Sequence, residues 1–434
     1  MTQFENIVVV GGGYAGVRLA QTFEKKISSE NNNKFRIILV DKKSYFYHII
    51  AGPRAAVEHI NNVIPYTHTF TENEKNIVVQ ATVVGLKKNT LYLDQPFEGS
   101  MELPFAYAVI ATGIRYPTPS MLEALDIETA NQEQHEIQTM VKEANSILIV
   151  GGGPTGVEVI GEIREKYADK KITLVHDQKL LLNNDIPDTP RAQMLEKVQR
   201  NNVKVILDDI VELPDNNQIK KTIYKPKESL LTRKGVKLEV DLVMLMFGMS
   251  AATQWLKDTP VPLATRGGFI KVKPTLQVDA PGFENVYAAG DVADIDEFKL
   301  AGRSTGHTRV ITANIQSSID GKEPSRTYKA NNKFLMGITF GKKQGYIFTP
   351  LGSLGDWAIA FAKGRTLSTK RFWGMLNLKE PNNSNDDSQH SLNRSSSSKI
   401  LTTTSVTLGV VAIATYYLSQ QHRTTFQNIL QSIY

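Results

Sequence analysis

The stretch Ile7-Val8-Val9-Val10-Gly11-Gly12-Gly13-Tyr14-Ala15-Gly16-Val17 decides the reading of this chain. It returns 140 residues later as Ile147-Leu148-Ile149-Val150-Gly151-Gly152-Gly153-Pro154-Thr155-Gly156-Val157. Each copy is a short apolar run, a GxGxxG turn and a segment of helical composition (residues 18–26 and 158–167), which is the strand, turn and helix of a Rossmann unit. The glycines permit a tight turn, close approach to a pyrophosphate and close packing of helix on strand, and the helix N-terminus offers N–H groups to the anion. One GxGxxG alone is a weak signal. Two in the same context predict two dinucleotide sites, with Gly11, Gly12, Gly13, Tyr14, Ala15 and Gly16 at the first and Gly151, Gly153 and Gly156 at the second.

Working outward, further buried strands are expected at Phe35 to Val40, Ala106 to Ala111, Ile172 to Val175, Leu242 to Phe247 and Asn285 to Ala289, their C-terminal ends facing ligand. In the first unit an acid should follow the second strand to hold the adenosine ribose, and Asp41 stands there. In the second unit that position is His176, followed by Asp177. An acid would repel a 2′-phosphate whereas histidine tolerates or attracts one, so this pocket is expected to accept NADPH as well as NADH, with Lys170, Lys171 and Lys179 nearby. Ala111-Thr112-Gly113 and Gly290-Asp291 mark two more strand ends where the chain can pass a bound cofactor. Residues 77–93 alternate like an antiparallel ribbon.

Composition limits the chemistry. The 434 residues allow about three domains, and 41% hydrophobic with 22% charged residues reads as globular. The absence of any cysteine excludes disulfide redox chemistry, cysteine zinc sites and cysteine-held iron–sulfur clusters, and no metal centre is expected. A net charge of +6 without a long basic run argues against nucleic-acid binding. The apolar run at Ile7 begins too early for a cleavable targeting peptide to precede it. Residues 380–398 carry a single apolar side chain, Leu392, and read as a disordered linker. Beyond it, residues 400–418 run without a charge and would span about 28 Å as a helix. Residues 399–423 are therefore a candidate tail anchor, the other reading being a surface or partner-binding helix. Its basic flanks direct the expectation to a cytosol-facing protein on the mitochondrial outer membrane, with endoplasmic reticulum and lipid droplet as other locations.

The order GxGxxG, acid, Ala-Thr-Gly, second GxGxxG, Gly-Asp resembles the FAD-dependent pyridine nucleotide-disulphide oxidoreductase superfamily, here without its redox cysteines. The strings Asp41-Lys42-Lys43-Ser44-Tyr45-Phe46-Tyr47-His48, Arg54-Ala55-Ala56-Val57-Glu58, Gly153-Pro154-Thr155-Gly156-Val157-Glu158 and Asn285-Val286-Tyr287-Ala288-Ala289-Gly290-Asp291 are similar to its apoptosis-inducing-factor-like branch, the ferroptosis suppressor proteins included. That resemblance implies an α/β fold of two Rossmann-like dinucleotide-binding domains, the NAD(P)H domain inserted in the FAD domain, with a small C-terminal α+β region and a C-terminal hydrophobic helix. The divisions would be 1–125 and 265–325 for FAD, 126–264 for NAD(P)H, 326–379 for a membrane- or quinone-facing region, then the linker and the 399–423 span. It further implies that Arg54, the backbone of Val83 and Asp291 join the first glycine turn in holding FAD, and that Glu158 holds the nicotinamide amide. Two departures stand out: Thr2 occupies the position where N-terminal myristoylation requires glycine, and Met246-Phe247-Gly248 stands where related flavoproteins carry a small residue, Thr and Gly.

With no thiol or metal, the chemistry falls to a flavin that takes hydride from NADPH or NADH and passes two electrons onward. An apolar C-terminal region points to a lipid-soluble quinone, and the resemblance implies coenzyme Q. His48 and His307 are candidate proton relays. The alternatives are an apoptosis-inducing-factor-like redox signalling protein acting through a partner or DNA, and a ferredoxin-type reductase. Trp357, Phe361, Phe372 and Trp373, beside Lys363, Arg365, Lys370 and Arg371, are read either as facing lipid headgroups or as core of the C-terminal region.

Overall fold

The computed structural model describes residues 4–28, 34–214, 221–247, 249–332 and 334–382. The chain divides into a compact unit, Met1–Glu380, and a remainder, Pro381–Tyr434. The candidate span at 399–423 and nearly all of the linker before it lie outside the described residues. Among the described residues no helix is long and apolar enough to cross a membrane.

Strand β1 (Glu5–Val10) turns through Gly11 to Gly13 into α1 (Tyr14–Phe23), followed by β2 (Phe35–Asp41), β3 (Ile77–Gln80) and β4 (Tyr107–Ile110). The second repeat supplies β5 (Ser146–Val150), α2 (Pro154–Lys166), β6 (Lys171–Val175), β7 (Val203–Ile206), β8 (Ile223–Tyr224) and β9 (Leu242–Leu245). Then β10 (Val286–Ala288) returns to the first sheet, whose order is β10-β4-β1-β2-β3 with every neighbour parallel. The second sheet runs β7-β6-β5-β9-β8 and is parallel except for β8. All of its strands thus come from the stretch between β4 and β10, both of which belong to the first sheet.

Both sheets are covered on two faces, which is why their strands read as unbroken apolar runs. In β1, Ile7 and Val9 pack with Val17, Leu19 and Phe23 of α1 and with Ile311 and Ile315 of α3 (Ser304–Ile319). Val8 and Val10 point to the other face, toward Leu86, Leu91 and Leu103. The two-residue alternation of strand side chains divides a uniformly apolar run between two cores. The expected ribbon at 77–93 is divided as well. Ile77–Gln80 adds to the parallel sheet beside β2, and only from Val83 does an antiparallel meander begin, running to Pro104.

The C-terminal region is an antiparallel meander, β11 (Met336–Phe340), β12 (Gln344–Thr349) and β13 (Gly352–Leu354), then helical turns over Asp356–Ile359, Ala360–Gly364 and Thr369–Met375. It lies against α2. A Cβ added to Gly161 would sit 2.5 Å from Phe340 Cα, so only glycine permits this approach. Ile338, Phe340 and Phe348 complete the same core as Val157, Ile160 and Ile163.

Candidate functional site

The first glycine turn is built by backbone necessity. Gly11 has φ +104°, and a Cβ there would lie 2.6 Å from Ala111 O. Its N–H donates to Val40 O at 2.8 Å, and Ala111 N–H donates to Val10 O at 2.8 Å, so three strand ends meet at the turn. Gly16 packs helix on strand, its Cβ position falling 1.7 Å from Gly11 O. Gly13 caps α1, and a Cβ on it would meet nothing within 4 Å. That open edge faces a cavity of about 410 Å³, within the size range of cofactor pockets.

Gly11, Gly12, Gly13, Tyr14, Ala15, Asp41, Val83, Ala111, Thr112, Gly113, Gly290 and Asp291 all line this cavity. Asp41 accepts the N–H of Gly12 through Oδ2 and that of Lys43 through Oδ1 at 2.7 Å. Burial pushes its carboxyl upward, while these two bonds and the nearby lysines pull it down. Asp291 is raised by burial too, with Lys299 opposing. Thr112 Oγ1 is buried without a hydrogen-bond partner and lines the cavity, as expected of a group awaiting a polar ligand. The open helix terminus, the two carboxylates and this orphaned hydroxyl fit a dinucleotide such as FAD.

Sequence reasoning missed several lining groups. Lys43 is buried, its amine held down to about 8 chiefly by burial. Its Nζ donates to Leu122 O, to Ala124 O at 3.2 Å and to Tyr45 Oη at 3.2 Å, tying a distant loop to the cavity edge. The signal was present in the string that follows Asp41, of which only the acid drew a role. Tyr116, Met121, Trp255 and Leu300 also line the cavity, and nothing in their local sequence marks them.

The second turn repeats the backbone of the first. Gly151 has φ +109°, its N–H donates to Val175 O at 2.9 Å, and its Cβ position lies 2.6 Å from Met246 O. Met246-Phe247 therefore occupies the place held by Ala111-Thr112 in the first unit. Gly153 is similarly open, with only Asn183 Oδ1 at 3.6 Å. The loop after β6 folds over this turn, Leu182 N–H donating to Gly152 O at 2.8 Å, and Arg191 pins the loop through Leu180 O, Leu181 O and Asn184 Oδ1.

His176 needs correction. A histidine here is expected to tolerate or attract a 2′-phosphate; burial lowers its pKa, which removes attraction by charge and leaves the tolerance. Its Nδ1 accepts the N–H of Gly152 at 3.2 Å, which puts the proton on Nε2, a buried donor without a partner. The approach of Nδ1 to Asp177 at 3.2 Å is accordingly no ion pair. Of the neighbouring lysines, Lys170 spends its Nζ on Lys142 O and Ala144 O, and Lys171 and Lys179 are exposed.

Four other expected site residues work elsewhere. Arg54, assigned to FAD by resemblance, is 2% exposed, makes two 3.0 Å bonds to Glu162 and caps the carbonyls of Gly364 and Arg365. Glu158, assigned to the nicotinamide, accepts through Oε1 from Thr339 N–H and Oγ1–H, both at 3.1 Å, and from Lys363 Nζ at 2.5 Å. Together with Glu165, which accepts the N–H of Lys342, these acids make one face of α2 a clamp for the C-terminal region. His48 and His307 do not line the cavity. His48 accepts from Tyr14 Oη–H (2.7 Å), donates to Leu367 O (2.8 Å) and is kept neutral by burial, its pKa about 4. His307 accepts the N–H of Gly290 at 2.9 Å and donates to Glu297 Oε1 at 3.2 Å, so it fixes the Gly290-Asp291 turn from behind.

Residues 5–317 match the family model for pyridine nucleotide-disulphide oxidoreductases. The chain belongs to this family. It is 30% identical over 397 residues to apoptosis-inducing factor homolog B of Dictyostelium discoideum, covering 87% of this chain and 98% of that one. It is 29% identical over 385 residues to ferroptosis suppressor protein 1 of Homo sapiens, covering 87% and 97%. Among solved structures, an NAD-dependent persulfide reductase from A. fulgidus aligns with a TM-score of 0.62 at 18% identity, over 79% of this chain and 64% of that one. Putidaredoxin reductase in its covalent putidaredoxin complex aligns at 0.58 and 17%, over 79% and 80%. This member of the family is an FAD-dependent NAD(P)H oxidoreductase, and with no cysteine it has no disulphide to reduce within its own chain.

Proposed function

We propose that FAD lies in the cavity at the first glycine turn, that NAD(P)H binds over the second, and that the electron acceptor is a lipid-soluble quinone. The observation that carries the reading is the cavity wall beyond the turn. Among the residues that line the cavity, Tyr47, Ile49, Tyr116, Met121, Trp255 and Leu300 are aromatic or aliphatic, which suits a flat apolar acceptor. The resemblance to ferroptosis suppressor proteins supports the same acceptor class. FAD, when bound, supplies two-electron exchange between nicotinamide and acceptor. The chain's own residues position and insulate. The N-terminus of α1 faces the pyrophosphate, Asp41 and Asp291 offer acceptors to sugar hydroxyls, and the Thr112 hydroxyl gains a partner. In the second unit, Nε2–H of His176 donates to the adenosine ribose or its phosphate. Burial raises the Tyr14 hydroxyl far above its ordinary range, so it stays protonated with its hydrogen committed to His48.

Anaerobic reduction of the purified yellow protein by NADPH or NADH, followed by reoxidation with a short-chain quinone, oxygen or a reducible iron–sulfur protein, tests this. Fast reoxidation by the quinone alone is expected. Preference for the iron–sulfur protein would replace the quinone with a protein acceptor.

A further inference from the structure

The aromatic residues at 357–373 read as one set in the sequence, but the structure separates them. Trp373 is buried, its indole N–H donating to Asn61 O at 2.8 Å, and Phe372 lies among the rings of Tyr14, Phe46 and His48. Trp357 and Phe361 are 61% and 51% exposed. They stand four residues apart, with exposed Arg365 four further on, while Ala358, Ile359 and Ala360 between them are buried. The inward side of this helical segment completes the core, and the outward side presents aromatics then a cation, the pattern of an interfacial helix. Leu351 and Leu354 are also exposed immediately before it.

The charges have one sign. Residues 350–379 carry five basic side chains, Lys363, Arg365, Lys370, Arg371 and Lys379, against one acid, Asp356. That acid is paired with Lys197 at 2.6 Å, and Lys363 is paired with Glu158. Arg365, Lys370 and Arg371 remain exposed.

We propose that this face of the folded unit rests on an anionic bilayer surface, with Trp357 and Phe361 at the headgroup boundary and the basic side chains over lipid phosphates. Tryptophan favours that boundary because its ring is apolar and its N–H polar. Exposed basic side chains close in sequence to the aromatics are drawn to an anionic surface, whereas two copies facing one another would oppose like charges. The contact is made by the folded unit and is independent of the candidate span at 399–423. Its purpose rests on the quinone reading, since it brings the protein to the phase in which such an acceptor dissolves.

The test uses the full-length FAD-loaded protein with vesicles of phosphatidylcholine, with and without phosphatidylserine. In flotation, Trp357→Ser/Phe361→Ser and Arg365→Glu/Lys370→Glu/Arg371→Glu are expected to lower binding to the anionic vesicles about tenfold. Trp357→Ser/Phe361→Ser should leave short-chain quinone reduction unchanged. Residues 399–423 are present in every variant, so a second readout isolates the face. Quenching by spin-labelled lipid, taken as the difference between wild type and Trp357→Phe, is expected to report Trp357 at the headgroups. Vesicle-bound protein whose Trp357 is not quenched overturns the proposal. So does a change in mass of the Trp357→Ser/Phe361→Ser variant in vesicle-free ultracentrifugation, which would make a second copy the occupant. Quenching in a protein that reduces no quinone would leave the docking face standing and remove the quinone reading.

Discussion

In the first glycine turn the N–H of Gly12 is taken by a carboxylate, Asp41; in the second the N–H of Gly152 is taken by a neutral imidazole, His176. The backbone task is the same in both, and any acceptor at the strand end performs it. The groups differ in what they offer a ligand. Asp41 can only accept, whereas His176 presents a donor on Nε2. The third strand end differs as well, for Thr112 is a buried hydroxyl and Phe247 an apolar side chain about half exposed. The helices differ most. Across α2, Glu158, Glu162 and Glu165 engage Lys363, Arg54 and Lys342, while α1 carries no acid. A repeated turn thus recurs with the same backbone, and on the proposed reading the side chains around it divide resident cofactor from exchanging substrate.

The sharpest way to break this comparison is to place the same carboxylate in each turn. Gly13→Glu and Gly153→Glu both have room for a Cβ, so each change acts on the ligand's phosphates. Gly13→Glu is expected to yield colourless protein, whereas Gly153→Glu should stay yellow with the KM for NAD(P)H raised about tenfold or more. Retained stoichiometric FAD in the first variant would show that the two turns have been assigned wrongly. Next in size is the clamp present only on α2. Arg54→Ala leaves Glu162, whose pKa burial already raises, without its partner, at a cost of about 3–5 kcal/mol. Thermal unfolding should show a large fall in Tm, and Arg54→Met/Glu162→Leu should recover most of it.

A third effect separates the sides of the molecule by pH. The folded pKa of His48, about 4, lies below the unfolded value of 6.5. Unfolding therefore takes up a proton as pH drops below 6.5, and the stability due to neutral His48, up to about 3 kcal/mol, declines from pH 6.5 toward 4. Denaturant titrations of wild type and His48→Gln across that window should show a shallower slope in the variant; parallel slopes would mean His48 is not buried neutral. The smallest effect concerns the second strand end. His176→Glu removes the Nε2 donor and adds a charge, so the NADPH-to-NADH ratio of kcat/KM should fall by about 1–2 kcal/mol. An unchanged ratio would move the adenosine away from β6.

Much of this was legible in residue order. A buried parallel strand must be apolar throughout, a turn at φ near +100° must use glycine, and a strand-end acid announces itself, so both turns and Asp41, Thr112 and Asp291 could be read locally. Arg54, Glu158 and His48 each have a partner 108 to 319 residues away, and no local pattern names it. The parallel pairing of Ile77–Gln80 was hidden for a related reason, since alternation shows that one face is buried but not which strand lies beside it. Local sequence determined the two glycine turns, because they depend on backbone conformation. Tertiary structure alone decided which acids would line the cavity and which would hold the C-terminal region, because a carboxylate's role depends on what packing brings against it.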